Sequence, residues 1–166
     1  MILGSAAVVL ISVATVVPAL NQPTVKVSGR LPAGVRLTTA AAAFAPLEAR
    51  ALVPPDVLDS LPLPRSSVVT SRRNIDQGKG VFDRSVTFST TLPYGTVAKL
   101  YPVAFHERGW AVISVTRPHG HQGVEVLAKK AGSDGFYWEA GAVVPMPAPT
   151  QGRTSFTLRL FQVQEA

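Results

Sequence analysis

The chain has 166 residues, no cysteine, 14 prolines and 13 glycines, and its 16 lysines and arginines against 10 acids leave a net charge of +6. That length holds one domain of ordinary size with appendages, and 46% hydrophobic with only 16% charged residues excludes a disordered chain. Without cysteine, disulfides, thiolate metal sites, cysteine nucleophiles and a lipid-modified cysteine anchor are all excluded, so stability must come from packing.

Residues 2–20 (ILGSAAVVLISVATVVPAL) carry no charge. As a helix at about 1.5 Å per residue they reach about 28 Å, close to the hydrocarbon thickness of a bilayer. Lacking a polar face, they read as a signal anchor, or as a signal peptide if cut after Val17-Pro18-Ala19. Lys26, Arg30, Arg36 and Arg50 come next, against the single acid Glu48. On the positive-inside bias alone, these cations would hold the remainder of the chain in the cytoplasm.

Residues 21–65 read as a Pro/Ala-rich linker, punctuated by Gly29, Pro32, Gly34, Pro46, Pro54, Pro55, Pro62 and Pro64. A short Ala-rich helix is expected within 38–53, broken near Pro46. From Pro54 to Pro64 the expectation is extended, partly polyproline chain laid against the domain by its leucines.

The domain is expected over 66–166. Residues 66–73 (SSVVTSRR) predict a strand and 74–80 a hairpin loop. In 81–91, Phe82, Val86 and Phe88 alternate with Asp83, Ser85, Thr87 and Ser89, which predicts a half-buried strand. Val97, Leu100, Tyr101, Ala104 and Phe105 then recur at helical spacing, with Gly109 placed for a left-handed cap. Pro102 should kink that helix or make it start late. Strands are predicted over 110–117, 123–130, 136–144 and 154–163, each rich in β-branched or aromatic residues. Short connections imply antiparallel pairing. The predicted fold is therefore two-layer α+β, one amphipathic helix on an antiparallel sheet of five to six strands (β-β-α-β-β-β-β), preceded by an apolar N-terminal helix. One helix cannot cover so wide a sheet, so the Pro-rich lead-in or a partner must cover the remainder.

Leu61-Pro62-Leu63-Pro64, a strand, Val86-Thr87-Phe88, and then Val97, Tyr101 and Gly109-Trp110 resemble small exported envelope proteins of high-GC bacteria. The resemblance spans about residues 54–130. It implies a helix-Gly-Trp-strand element in an α+β domain behind an N-terminal anchor, with Tyr101 and Trp110 as core anchors. It also implies export, against the charge bias, and supplies no active-site residues.

Candidate chemistry is sparse. His119 and His121, at i and i+2 in Arg117-Pro-His-Gly-His121, have the donor type for a divalent metal, but no HExxH or paired carboxylate lies near them, and His106 beside Glu107 reads as solvated. No G-x-S-x-G, S-x-x-K or P-loop frame occurs, and Asp134 and Glu139 are ordinary acids of a turn and a strand. Arg72, Arg73, Lys79 and Arg84 on the first hairpin form a candidate patch for an anionic partner, or a charged edge that blocks aggregation. In Phe136-Tyr137-Trp138, alternation sends Phe136 and Trp138 together into the core.

The functional expectation is a non-catalytic extracytoplasmic interaction domain, tethered to the membrane by residues 2–20 and binding an envelope protein, with neither cofactor, metal nor nucleic acid. The alternatives are a metal-dependent enzyme using His119 and His121, and a cytoplasm-facing anchored domain whose basic stretch 26–36 touches anionic lipid.

Overall fold

The computed structural model describes residues 23–47, 53–76, 82–117, 123–147 and 152–163. The apolar segment 2–20, Lys79, His119 and His121 lie outside these residues. Among the described residues no helix is long and apolar enough to cross a membrane.

The stretch read as a linker carries elements of its own. Strand β1 (Leu37–Thr39) leads into a one-turn helix α1 (Ala41–Phe44) and a 3-10 turn that contains Pro46. Helix α2 (Pro55–Leu58) and strand β2 (Pro62–Pro64) then return the chain beside β1, with Thr38 opposite Leu63. The extended reading of 54–64 is thus corrected to a helical turn followed by a strand. Pro55 at the first helical position explains the turn, since the amide it lacks would have no partner there. Pro62 and Pro64 are tolerated because β2 belongs to a two-stranded sheet with open edges. The Ala-rich helix expected within 38–53 is α1, which gives way to the 3-10 turn at Pro46. Polarity pattern does not reveal β1, α2 and β2 because tertiary burial makes them: Ala40, Phe44, Val57 and Leu61 are fully buried, and Val53 and Leu63 nearly so. They supply the cover that a single helix cannot.

The six predicted strands form one antiparallel sheet. They are β3 (Val68–Asn74), β4 (Asp83–Thr90), β5 (Ala111–Thr116), β6 (Gly123–Ala131), β7 (Tyr137–Pro145) and β8 (Thr154–Val163), in spatial order β3-β4-β8-β7-β6-β5. Helix α3 (Tyr94–Glu107) lies between β4 and β5 in the chain, so the predicted β-β-α-β-β-β-β order over this region is the observed one. Period-two alternation sends Val86, Phe88, Phe156, Leu158, Leu160, Trp138, Ala140, Ala142, Val126 and Ala128 to one face, all of them buried. Val97, Leu100, Tyr101, Ala104 and Phe105 of α3 are buried with them, in one cluster. Tyr101 joins the layers, its ring centroid 5.5 Å from Phe156 and 5.7 Å from Phe105.

Pro102 neither stops α3 nor delays it. The helix loses one backbone hydrogen bond there, and the burial of the residues on either side of Pro102 offsets that loss. At its end Gly109 takes φ +79°. The Gly109 amide donates to His106 (3.1 Å) and the Trp110 amide to Phe105 (3.0 Å), the paired bonds of a left-handed cap that turns the chain straight into β5. Trp110, 1% exposed, stands edge-on to Phe105 at 5.9 Å, and its indole N–H reaches the Ser60 carbonyl at 3.2 Å and the Ser60 hydroxyl at 3.0 Å. That bond ties β5 to the lead-in. The second tryptophan, Trp138, donates to the Asp134 carboxylate at 3.1 Å. Phe136 departs from its predicted core position: it precedes β7 in the turn and is 49% exposed.

Candidate functional site

The same alternation that fills the core leaves the other face of the sheet uncovered by any helix among the described residues. Asp83, Thr87 and Ser89 of β4, Thr157, Arg159 and Phe161 of β8, Tyr137, Glu139, Gly141 and Val143 of β7, and Glu125, Leu127 and Lys129 of β6 are all half-buried there. The rows of this face are set by the register. One runs Arg73, Ser85, Arg159, Gly141, Leu127, Ser114; the next runs Asp83, Phe161, Glu139, Lys129.

Arg159 is the hub. Its Nε donates to Asp83 Oδ1 at 2.8 Å and its Nη2 to Oδ2 at 2.6 Å, a two-pronged ion pair, and its guanidinium also lies 5.0 Å from the Phe161 ring centroid. On the next strand, burial pushes the Glu139 carboxyl up from 4.5, against the opposing pull of Lys129 and Arg159. Lys129 Nζ sits 3.8 Å over the Tyr137 ring. Between Arg159 and Leu127, Gly141 opens a notch: a Cβ there would stand 3.9 Å from Leu127 Cδ1 and 4.0 Å from Arg159 Cβ. Asp83, Glu125 and Glu139 stand against Arg73, Lys129, Arg159 and Arg153, whose Nε donates to Ser89 Oγ at 2.8 Å at the rim, so the face is a mosaic with one surplus cation and with Leu127, Val143, Phe161 and Tyr137 set among the charges.

The four cations read as one patch are not brought together. Arg84 is 5% exposed and turned inward, because it shares the parity of Phe82 and Val86. Its Nε donates to the Leu47 carbonyl at 3.2 Å and its Nη1 to the Asp83 carbonyl at 3.0 Å, with Asp76 at 3.6 Å and the Phe82 ring beneath it. Arg72 pairs with Val86 on the inward side of β3, and its Nε donates to the Ala43 carbonyl at 2.8 Å. Both arginines therefore hold the lead-in to the sheet. Arg73 alone stands on the open face, and Lys79 lies outside the described residues.

The two acids singled out in the sequence part company as well. Asp134 accepts the Trp138 indole and is structural, whereas Glu139 belongs to the open face. His106 is exposed on α3, and among the described residues no group of His, Asp and Glu is arranged to hold a metal ion. Sequence reasoning misses the Asp83–Arg159 pair and the Gly141 notch. Both residues of the pair have outward parity, but only the register of β4 against β8 places them near one another. No family model, no curated protein and no solved structure matches this chain.

Proposed function

We propose that this chain is a non-catalytic interaction domain, tethered to the outer side of the membrane by residues 2–20, which binds an envelope protein across the open face of its sheet. The reading is carried by one observation: a broad sheet face with paired charges, aromatic and aliphatic side chains and a central notch, left uncovered by the helices among the described residues. Six strands at about 4.8 Å spacing and about eight residues at about 3.4 Å make this face roughly 29 by 27 Å. That is on the order of 800 Å², one partner's share of a standard protein–protein interface. A surplus of only one cation favours a protein over a polyanion, since nucleic acid or an acidic polymer would call for a strongly basic face. The apolar segment and the resemblance to exported envelope proteins support the tether and its orientation.

A photo-crosslinking amino acid placed at Leu127 or Val143 in the full chain, in its native cells, tests this reading. A discrete protein adduct from these positions, none from Glu107 on α3, and its loss on adding Gly141→Arg are expected. Adducts formed equally from α3, or from neither face, would refute it.

A further inference from the structure

On the side of the molecule away from the open face, the lead-in crosses α3. Val25 donates its amide to the Val112 carbonyl at 2.8 Å, which pins residues 25–30 beside β5 and over the outer surface of the helix. A Cβ at Gly29 would stand 3.7 Å from Val103 Cγ2, so lead-in and helix are in close approach. Between them lies a groove of about 380 Å³, lined by Val25, Val27, Gly29, Pro102 and Val103, with Lys26, Arg30 and Lys99 among its walls. Lys99 and Pro102, separated by one helical turn, point away from Val97, Leu100 and Ala104, which face the sheet. Lys26, Arg30 and Lys99 are exposed, and no ion pair among the described residues reaches them. Unpaired cations around an apolar floor fit a phosphodiester whose glycerol backbone lies on Val25, Pro102 and Val103.

Chain length decides which phosphodiester. From Leu20, the end of the apolar segment, to Val25 is five residues, at most about 17 Å of extended chain. With residues 2–20 in a bilayer, this groove is held within about two Debye lengths of the headgroups. We infer that the groove is a seat for the headgroup of an anionic phospholipid such as phosphatidylglycerol, which draws the helix layer onto the membrane. This rests on the tether reading above and is independent of which side of the bilayer the domain occupies. The helix layer then faces the membrane and the open sheet face points away from it.

The absence of cysteine makes the test clean. A nitroxide on Thr96→Cys, one turn before Lys99, reports the depth of the helix layer through collisions with lipid-soluble oxygen against a water-soluble nickel complex. Ser71→Cys on β3 serves as the distant control. The full chain is placed in nanodiscs of phosphatidylcholine, with or without phosphatidylglycerol. A several-fold rise in relative oxygen accessibility at Thr96 is expected only with phosphatidylglycerol. It should vanish in the triple variant Lys26→Gln, Arg30→Gln, Lys99→Gln, persist in millimolar inorganic phosphate, and leave Ser71 unchanged. Equal accessibility in both lipids, an unaffected triple variant, or displacement by inorganic phosphate would each overturn the headgroup seat while leaving the tether standing. Failure of the chain to enter pure phosphatidylcholine discs would overturn the tether, and with it the inference.

Discussion

Replacing Trp110 by alanine removes the joint between the helix, the sheet and the lead-in at once. The side chain is 1% exposed and edge-on to Phe105, so its truncation leaves a cavity ringed by residues already fixed by the left-handed cap. A buried tryptophan covers about 150–250 Å², worth roughly 4–6 kcal/mol at about 25 cal/mol per Å². Measured truncations of buried aromatics to alanine cluster at about 3–5 kcal/mol, and that range is the expectation here. Loss of the indole N–H also strands the Ser60 carbonyl, which adds about 1 kcal/mol. The sum is a large share of the roughly 5–15 kcal/mol that holds a domain together, and the melting temperature should fall by on the order of 10–20 °C. Unfolding followed through Trp138, the tryptophan that remains, measures the change directly. Trp110→Phe separates the components in part, since it keeps a ring at Phe105 while losing the bonds to the Ser60 carbonyl and hydroxyl and a fraction of the indole's volume, and should cost about 1–3 kcal/mol, less than the alanine. A melting temperature within about 2 °C of the parent for Trp110→Ala would refute the assignment of Trp110 to the core joint.

The Tyr101 hydroxyl is fully buried with no hydrogen-bond partner among the described residues, and burial pushes its phenol well above the usual 10.0. Tyr101→Phe should therefore leave stability unchanged or raise it by about 1 kcal/mol in urea unfolding, and a loss of more than about 1 kcal/mol would reveal a bond at that oxygen. Glu139 has its folded-state carboxyl raised above 4.5, so the protonated form suits the fold better; stability from this group is present below 4.5 and lost as pH rises through the folded value. Glu139→Gln should accordingly gain on the parent as pH is raised from about 4 to about 7 in parallel urea titrations; a difference independent of pH would refute that.

The sheet is legible because its strands alternate strictly, and alternation is a local property. Val86 and Phe88, or Leu158 and Leu160, announce an inner face without reference to any other strand. Gly109-Trp110 is legible for a similar reason, as a helical stripe that stops before a residue free to take positive φ. The lead-in is not. Ala40, Phe44, Val57 and Leu61 obey no period, and the helical turn after Pro54 exists because α3 alone leaves part of the sheet uncovered. Phe136 fails as a core prediction because the turn ends only at Tyr137, one residue later than composition implies.

Arg84 shows how close the candidate site comes to being readable, and what is missing. Its number is even, as are those of Phe82, Val86 and Phe88, so parity alone already sends it inward; reading cations by type places it instead on a surface patch. Burying a guanidinium requires acceptors, and these come from the carbonyls of Leu47 and Asp83 with the Asp76 carboxylate beside them, the first supplied by the turn after the Ala-rich helix, whose docking on the sheet no local pattern encodes. The open face poses the converse problem. Arg73, Ser85, Arg159, Gly141 and Leu127 each have outward parity within their own strands, yet they become a row only through the order β3-β4-β8-β7-β6, in which the last strand of the chain inserts beside the second of the sheet. Strand order depends on which hydrophobic faces and hairpins close together, and those are long-range terms. A surface made of such rows is therefore invisible to motif reading, even though every residue in it already displays, one strand at a time, the polarity that a protein partner would meet.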